Sequence, residues 1–224
     1  MVVHAASVAG GSSPECRWVR SGAEAVEGLR ERRTVFGLFR GEFSLIDLIC
    51  SVLEVTGPAD LTVATWTAAT REIDSAAKLL EGGDVRSIRW LVDMSFPRRQ
   101  PVYCRQMLDR FGAGAIRCTK SHAKFTLIQN EEWQVALRTN ANLNKNPRYE
   151  FFEMSDSPVI CEFLSSLVDT VWAEEYKDPL STRPKEFHDA FATYGRETQS
   201  LEPIESVFGK DLTNKNAAAF ERLG

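Results

Sequence analysis

Short β-branched apolar runs alternate along this chain with amphipathic segments, and this alternation constrains its fold more than any other feature. Residues 59–66 (ADLTVATW) and 87–94 (SIRWLVDM) have the length and composition of strands, and residues 70–80 and 101–111 have helical spacing of apolar side chains. Further strands are predicted over 115–118, 121–128, 134–137 and 149–154, with a long helix over 159–175. This order predicts an α/β fold, with a mixed β-sheet flanked by helices on both faces.

Shifts in composition divide the chain into three predicted parts. Residues 1–40 mix Gly, Ser and Arg and are predicted to be an N-terminal extension. Residues 41–176 hold the strand and helix patterns and form the predicted domain, which begins with a helix over 43–55. Residues 177–224 are interrupted by prolines and are predicted to be a C-terminal appendage.

Composition argues against several classes of protein. The five cysteines are odd in number and lack C-x-x-C spacing, which favours buried thiols in a reducing cytoplasm over disulfides or zinc. Only three histidines are present, which argues against a multi-histidine metal centre. No apolar run reaches the roughly 18–20 residues of a membrane-spanning helix. We therefore expect a cytoplasmic protein with no metal, no cofactor and no membrane partner.

The most informative stretch runs from residue 121 to residue 153. His122 and Lys124 are two residues apart in a strand pattern, so they are predicted to share one face of the sheet. The next predicted strand ends in the polar loop T-N-A-N-L-N, where Asn140 and Asn142 have the same spacing. If the two strands are neighbours, these four side chains converge at one end of the sheet.

Such a cluster suits phosphoryl chemistry. A neutral imidazole can attack phosphorus, a lysine can neutralise the non-bridging oxygens, and asparagine amides can donate hydrogen bonds where charge develops. Glu150 is placed to accept the second ring N–H of His122 and so to fix its tautomer. This chemistry requires no metal ion.

The residues H-A-K-F, T-N-A-N-L-N and Glu150 together resemble the signature of the phospholipase D superfamily. That signature is His-x-Lys-x4-Asp, followed by Gly-Ser/Gly-x-Asn and an acidic residue. The resemblance covers residues 59–172 and implies a phospholipase D-like sheet. It also implies His122 as nucleophile, Lys124 as phosphate-binding lysine, Asn142 as the motif asparagine and Glu150 as the acidic residue.

The match departs from the family pattern at two places. Gln129 occupies the position of the motif aspartate, and Thr139-Asn140 replaces the small pair that precedes the motif asparagine. The first change removes a supporting carboxylate, and the second crowds the phosphate pocket. Catalysis through this site is therefore one expectation, and a slow or inactive site is the other.

Members of this superfamily use two such motifs, because one histidine attacks and the other protonates the leaving oxygen. This sequence holds one. His188, in K-E-F-H-D-A-F, has neither the lysine two residues later nor the asparagine loop. The resemblance therefore implies a homodimer in which two copies of His122 face each other.

Several nearby residues are candidates for substrate binding. Arg98 and Arg99 follow a predicted strand and either track a phosphate backbone or belong to an ordinary solvated loop. Four basic residues flank the motif and would make its mouth positive: Lys120, Arg138, Lys145 and Arg148. Trp66, at the end of a predicted strand, either stacks a base or packs in the core. Asn140 and Asn142, likewise, either bind phosphate or form a polar turn.

Two functions of different classes follow from these expectations. The first is a metal-independent nuclease that cleaves DNA or RNA through a phosphohistidine. The second is a module with a decayed site that binds nucleic acid or protein without cleavage, for which the loss of the aspartate would be the symptom. A phospholipase is a weaker third alternative, because no basic amphipathic segment is evident for seating the chain on a bilayer.

Overall fold

A mixed sheet of seven strands organises the part of the chain that this computed structural model describes. That part comprises residues 20–145, 147–174, 176 and 179–180, with the backbone of two short strands near the N-terminus. The chain divides into two units, residues 1–181 and 182–224, and all described residues belong to the first. His188 and nearly all of the predicted appendage lie outside the described residues.

The elements follow one another in an order close to the predicted one. The strands are β1 (Val2–Val3), β2 (Cys16–Arg17), β3 (Val35–Phe39), β4 (Ala59–Thr65), β5 (Val85–Asp93), β6 (Ile116–Thr119), β7 (Phe125–Gln129), β8 (Gln134–Thr139) and β9 (Glu150–Asp156). The helices are α1 (Gly22–Ala25), α2 (Glu27–Arg30), α3 (Leu45–Thr56), α4 (Thr70–Gly82), α5 (Phe96–Arg99), α6 (Pro101–Phe111) and α7 (Pro158–Ala173), with a 3₁₀ turn at Ala113–Ala115.

The order and directions of the strands bring the termini of four strands to the same end of the sheet. The order is β3-β9-β8-β7-β4-β5-β6, in which β4, β5 and β6 run parallel and the other neighbours run antiparallel. Because β7 runs opposite to both of its neighbours, its first residue lies beside the last residues of β4 and β8. The first residue of β9 lies at the same end of the sheet, since Thr139 at the end of β8 pairs with Phe152.

Helices cover both faces of this sheet, as predicted. Side chains alternate along the strands, so that Trp90 of β5 enters a core shared with α3, α4 and α6, whereas its neighbour Leu91 enters a core shared with α7. Leu127 and Ala136 extend the second core across β7 and β8. The predicted mixed α/β sheet flanked by helices on both faces is confirmed.

Helix boundaries are set by capping groups. The hydroxyl of Ser44 accepts the backbone N–H of Asp47, and the Asp47 carboxylate accepts the N–H of Ser44, which closes a capping box at the start of α3. Gly57 ends this helix with a positive φ of 74°. At the start of α4 the capping position is Ala69, and Thr70 is the first helical residue.

The predicted N-terminal extension is wrong over its last twenty residues. β3 pairs along its whole length with β9, and Leu29 of α2 is fully buried in the larger core. The prediction placed the start of the domain at residue 41 because this strand is short, is interrupted by Gly37, and pairs with residues more than a hundred positions away. Local periodicity gives no sign of such a distant partner.

Only part of the hydrophobic surface of helix α7 packs against the sheet. Cys161, Val168 and Val171 are buried, whereas Phe163 is 72% exposed and Leu167 is 46% exposed. The hydrophobic residues of this helix therefore extend around more of its surface than the sheet covers.

The four cysteines in the described part of the chain, Cys50, Cys104, Cys118 and Cys161, are all reduced thiols. Burial raises the pKa of the Cys161 thiol to about 12, so this side chain behaves as a small apolar residue. Over the described residues, no helix is both long and apolar enough to cross a bilayer.

Substitutions of two phenylalanines compare what the core and the exposed face of α7 contribute to the free energy of unfolding. Phe152 is fully buried between β3 and β8, and Phe163 is 72% exposed on α7. We expect Phe152→Ala to lower the free energy of unfolding by about 3–5 kcal/mol, because it leaves a cavity, and Phe163→Ala to change it by less than about 0.5 kcal/mol. Urea unfolding followed by circular dichroism measures both.

If Phe152→Ala does not fold, Phe152→Leu gives a smaller loss of the same sign. Equal losses for the Phe152 and Phe163 variants would contradict the assignment of the two faces.

Candidate functional site

A cleft of about 510 Å³ opens at the end of the sheet where β4 and β8 finish and β7 and β9 begin. This volume is in the range of small-ligand sites. The residues that line the cleft are mostly polar: Trp66, His122, Lys124, Thr139, Asn140, Asn142, Arg148, Tyr149 and Glu150. The cleft therefore contains all four residues predicted to be catalytic, and Asn140 and Trp66 of the predicted substrate-binding set.

His122 and Lys124 lie in an extended segment just before β7, which begins only at Phe125. A backbone hydrogen bond from Thr139 N–H to the Lys124 carbonyl, 3.2 Å long, extends the pairing of β7 and β8 to this segment. The strand was predicted to begin at residue 121, whereas residues 121–124 precede the regular strand. Period-2 geometry nevertheless holds for the pair, since both side chains face the cleft.

The imidazole and the ammonium are in contact. Nζ of Lys124 lies 3.3 Å from Nδ1 of His122 and donates a 3.2 Å hydrogen bond to the His122 carbonyl. A neutral imidazole that accepts this contact at Nδ1 carries its proton at Nε2.

The polar loop after β8 is fixed by its own side chains. Thr139 Oγ1 accepts the N–H of Ala141 at 2.9 Å and donates to the Phe151 carbonyl. Asn140 Oδ1 accepts the N–H of Phe151 at 2.7 Å. These bonds fasten the loop to the start of β9, so Asn140 has a structural part as well as a place in the cleft lining.

Asn142 is positioned by the neighbouring backbone. Leu143 donates to the Thr67 carbonyl at 3.2 Å and accepts the N–H of Ala69 at 2.9 Å, which holds the loop against the chain that follows β4. Oδ1 of Asn142 is buried without a hydrogen-bond partner. Asn142 lines the cleft, and because an amide oxygen can only accept, only its Nδ2 group could donate a hydrogen bond to a phosphate oxygen.

A chain of contacts holds Trp66 against the His122 ring. The Asp93 carboxylate accepts from Ser95, the Ser95 hydroxyl accepts from Arg99 Nε at 2.9 Å, and Arg99 donates to the Trp66 carbonyl at 2.9 Å. The Arg99 guanidinium also lies 3.6 Å from the centre of the Trp66 ring. The Trp66 and His122 ring centres are 5.4 Å apart. Trp66 therefore limits the positions open to the imidazole.

Burial shifts the charges in the cleft toward neutrality. It lowers the pKa of the Lys124 ammonium, which the carboxylates of Glu150 and Asp93 partly oppose. It likewise raises the pKa of the Glu150 carboxyl, although Arg148 and Lys124 act in the opposite direction. Glu150 thus stands opposite the ammonium in the structure, and its pairing with the His122 ring stays a prediction.

Four other residues predicted to bind substrate lie outside the cleft lining. Arg138 forms a 2.6 Å ion pair with Glu153, and Arg99 supports Trp66. Arg98 and Lys120 are exposed beside the site. Arg98 and Arg99 belong to the short helix α5 and not to the predicted loop, which explains why Arg99 turns back toward Ser95.

Gln129, at the position of the motif aspartate, lies at the far end of β7, about 16 Å from Lys124 along the strand. Its amide donates to Gln134 Oε1 at 2.7 Å and its Oε1 accepts from Ser165 of α7 at 3.4 Å. This residue joins β7 to β8 and to the helix, and does not reach the cleft.

Arg148 was expected at the mouth of the site, whereas the prediction missed Tyr149. Both line the cleft directly before Glu150. The position of Tyr149 next to the predicted acidic residue was the available signal. Among the described residues, no three His, Cys, Asp or Glu side chains cluster closely enough to hold a metal ion.

Comparison with known proteins leaves the family of this chain open. No protein-family model matches it, and no curated protein sequence matches it significantly. Among solved structures, NucT from Helicobacter pylori is similar over 62% of this chain and 95% of its own, with 12% identity and a TM-score of 0.43.

Two further structures show similar levels of likeness. A polyphosphate kinase from Porphyromonas gingivalis matches over 67% of this chain and 27% of its own, with 16% identity and a TM-score of 0.49. TrmBL2, an archaeal chromatin protein with a novel mode of DNA binding, matches over 71% of this chain and 53% of its own, with 13% identity and a TM-score of 0.37. This chain thus spans about a quarter of the kinase and about half of the chromatin protein.

The electrostatic interaction between Glu150 and Lys124 gives a direct spectroscopic prediction. Because the Glu150 carboxylate favours the charged form of Lys124, Glu150→Gln should lower the pKa of that ammonium further. The titration of the Lys124 side chain, followed by NMR of selectively labelled lysine, measures this change.

Glu153→Gln is the matched control, because Glu153 lies on the same strand but pairs with Arg138 outside the cleft. An unchanged or raised pKa of Lys124 in Glu150→Gln would contradict the proximity of the two groups.

Proposed function

We propose that this protein is a metal-independent phosphodiesterase, specifically a nuclease that cleaves DNA or RNA through a phosphohistidine intermediate. The observation that carries the proposal is the contact of His122 with Lys124 at 3.3 Å, in a cleft that also contains Asn142 and Glu150. A nucleophile, a cation and an amide donor at one opening are the groups that phosphoryl transfer needs.

The reaction begins when a phosphodiester enters the cleft. Its non-bridging oxygens attract the Lys124 ammonium away from Nδ1 of His122, and Asn142 Nδ2 donates a further hydrogen bond. The ring proton then moves to Nδ1, and in this proposal the Nδ1–H group donates a hydrogen bond to the Glu150 carboxylate. Nε2, freed of its proton, becomes the nucleophile.

The covalent step forms an Nε2–P bond and breaks the bond between phosphorus and the leaving oxygen. The leaving oxygen takes a proton from a general acid. Water then attacks phosphorus, its proton returns to that group, and the Nε2–P bond breaks to restore the imidazole. The reduced pKa of Lys124 is compatible with this scheme because a bound phosphate restores the charged form of the ammonium.

The general acid in this proposal is His122 of a second copy of the chain. In the part of the chain that the structure describes, His122 is the only histidine. A two-fold dimer would bring two such residues to one phosphate, and the open cleft leaves room for an approach from the second copy. The active site is therefore proposed to be shared across a homodimer.

A non-catalytic binding module is the second candidate, and two observations favour it. Gln129, at the position where the resemblance expects an aspartate, forms a structural hydrogen bond with Gln134. The side-chain oxygen of Asn140 already accepts a hydrogen bond from the Phe151 backbone N–H. In this alternative the same cleft binds nucleic acid or protein and cleaves nothing.

Cleavage assays in EDTA distinguish the two candidates. The substrates are plasmid DNA, single-stranded DNA, RNA and a chromogenic phosphodiester. We expect cleavage to persist in EDTA and His122→Ala to slow it at least about a hundredfold, the lower bound for losing a positioned proton-transfer group. Arg86→Gln, which removes a surface charge paired with Glu131, should leave the rate unchanged.

Cleavage that stops in EDTA, or that proceeds equally well in His122→Ala, contradicts the proposed mechanism. Binding without cleavage in every variant identifies the module. A rate that rises with the square of protein concentration in the dilute range supports the shared site.

A further inference from the structure

The face of the sheet that carries α7 has aromatic side chains beyond the reach of that helix. The core beneath α7 is formed by β4, β5, β7 and β8, and includes no residue of β3 or β9 among those described. Phe36 of β3, which is half-buried, and Phe151 of β9 lie on this part of the face as diagonal neighbours across the strand pair. Their rings stack, with centres 6.0 Å apart and an interplanar angle of 20°.

Tyr149 connects these rings to the cleft. Its side chain is 70% exposed and that of Phe151 is 37% exposed. Tyr149 lines the cleft and lies two residues before Phe151, about 7 Å away along an extended chain. Together Tyr149, Phe151 and Phe36 form an aromatic strip that begins at the mouth of the cleft and continues along the outer strands.

Positive charge accompanies the strip at its inner end. The Arg40 guanidinium lies 5.4 Å from the centre of the Tyr149 ring, and Arg148 lines the cleft next to it. Three carboxylates are nearby: Glu153 pairs with Arg138, Glu42 accepts the Arg40 backbone N–H at 2.6 Å, and the buried Glu150 interacts with Arg148 and Lys124. An anion that follows the strip therefore meets cations where the strip enters the cleft.

We propose that the aromatic strip binds single-stranded nucleic acid, whose successive bases stack on these rings while the backbone passes Arg40 and Arg148 into the cleft. Exposed aromatic rings beside positive charge are the features that bind single strands without sequence preference, because every base has a face to stack. In a duplex the bases are already stacked and cannot reach the rings. The inference rests on the proposed function, since it gives the cleft a single-stranded substrate.

Binding measurements test the strip without requiring cleavage. The full-length chain carrying His122→Ala is titrated onto a fluorescein-labelled oligothymidylate, and fluorescence anisotropy gives the Kd. We expect Tyr149→Ala and Phe151→Ala each to raise the Kd about tenfold, as for the loss of one base stack. Tyr149→Phe, which keeps the ring, should restore most of the affinity.

Phe163→Ala is the matched control, since it removes an exposed ring from α7, away from the strip. A duplex of the same length should bind more weakly than the single strand, and its Kd should not change in the strip variants. Circular dichroism confirms that each variant is folded.

Three outcomes would overturn the proposal. They are no binding of the single strand, an equal loss of binding in Phe163→Ala and Tyr149→Ala, and conversion of a dimer to a monomer in the strip variants by light scattering. The last outcome would make the strip an interface between copies.

These experiments distinguish a failure of the proposed single-strand binding from a failure of the proposed nuclease activity. Single-strand binding that depends on the strip, by a wild-type chain that cleaves nothing, would support this inference while rejecting the nuclease. Cleavage with binding that is indifferent to Tyr149 and Phe151 would reject only the strip.

Discussion

The backbone hydrogen bond from Thr139 to Lys124 is the contact on which the candidate site depends. It joins the segment that carries His122 and Lys124 to the end of β8. The loop with Asn140 and Asn142 begins directly after that strand. Because β7 is antiparallel to both β4 and β8, its start lies at the same end of the sheet as the last residues of these two strands. Two hydrogen bonds of Thr139 and Asn140 with Phe151 of the next strand, and one between Thr139 and Ala141 within the loop, then fix the loop.

At this end of the sheet, a fixed tryptophan lies close to buried charged groups. Trp66 limits the imidazole on one side, and its own position is set by Arg99, which is anchored through Ser95 to the buried Asp93 carboxylate. Lys124 is half-buried and Glu150 is buried, and burial disfavours the charge of each. Of the two, the Lys124 ammonium gains from an incoming phosphate, because a nearby negative charge favours its charged form.

The sequence predicts the regular parts of this molecule well. The helix expected over 101–111 has these bounds in the structure, and the strand expected over 59–66 differs by one residue. These elements are long, strongly periodic and bounded by Gly or Pro, so local pattern determines them. The convergence of His122, Lys124, Asn140 and Asn142 could also be predicted, because it follows from two adjacent strands and period-2 geometry.

What escaped prediction depends on distant partners. β3 is recognisable only through its pairing with β9, and Arg99 has its role only because Ser95 and Trp66 come near it in the fold. Tyr149 and Phe151 appear as ordinary residues of a predicted strand until the structure shows that both side chains are exposed. Such features are set by tertiary packing, which single-sequence periodicity does not contain.

Detection of a phosphorus–nitrogen bond at His122 tests the account most directly. The protein is mixed with labelled single-stranded oligonucleotide in EDTA, quenched in alkaline denaturant to preserve phosphoramidate bonds, digested and analysed by mass spectrometry. The account predicts a nucleotide adduct on the peptide that contains His122 in the wild-type chain, and none in His122→Ala. Cleavage products without this adduct in either protein, or an adduct on another residue, would contradict it.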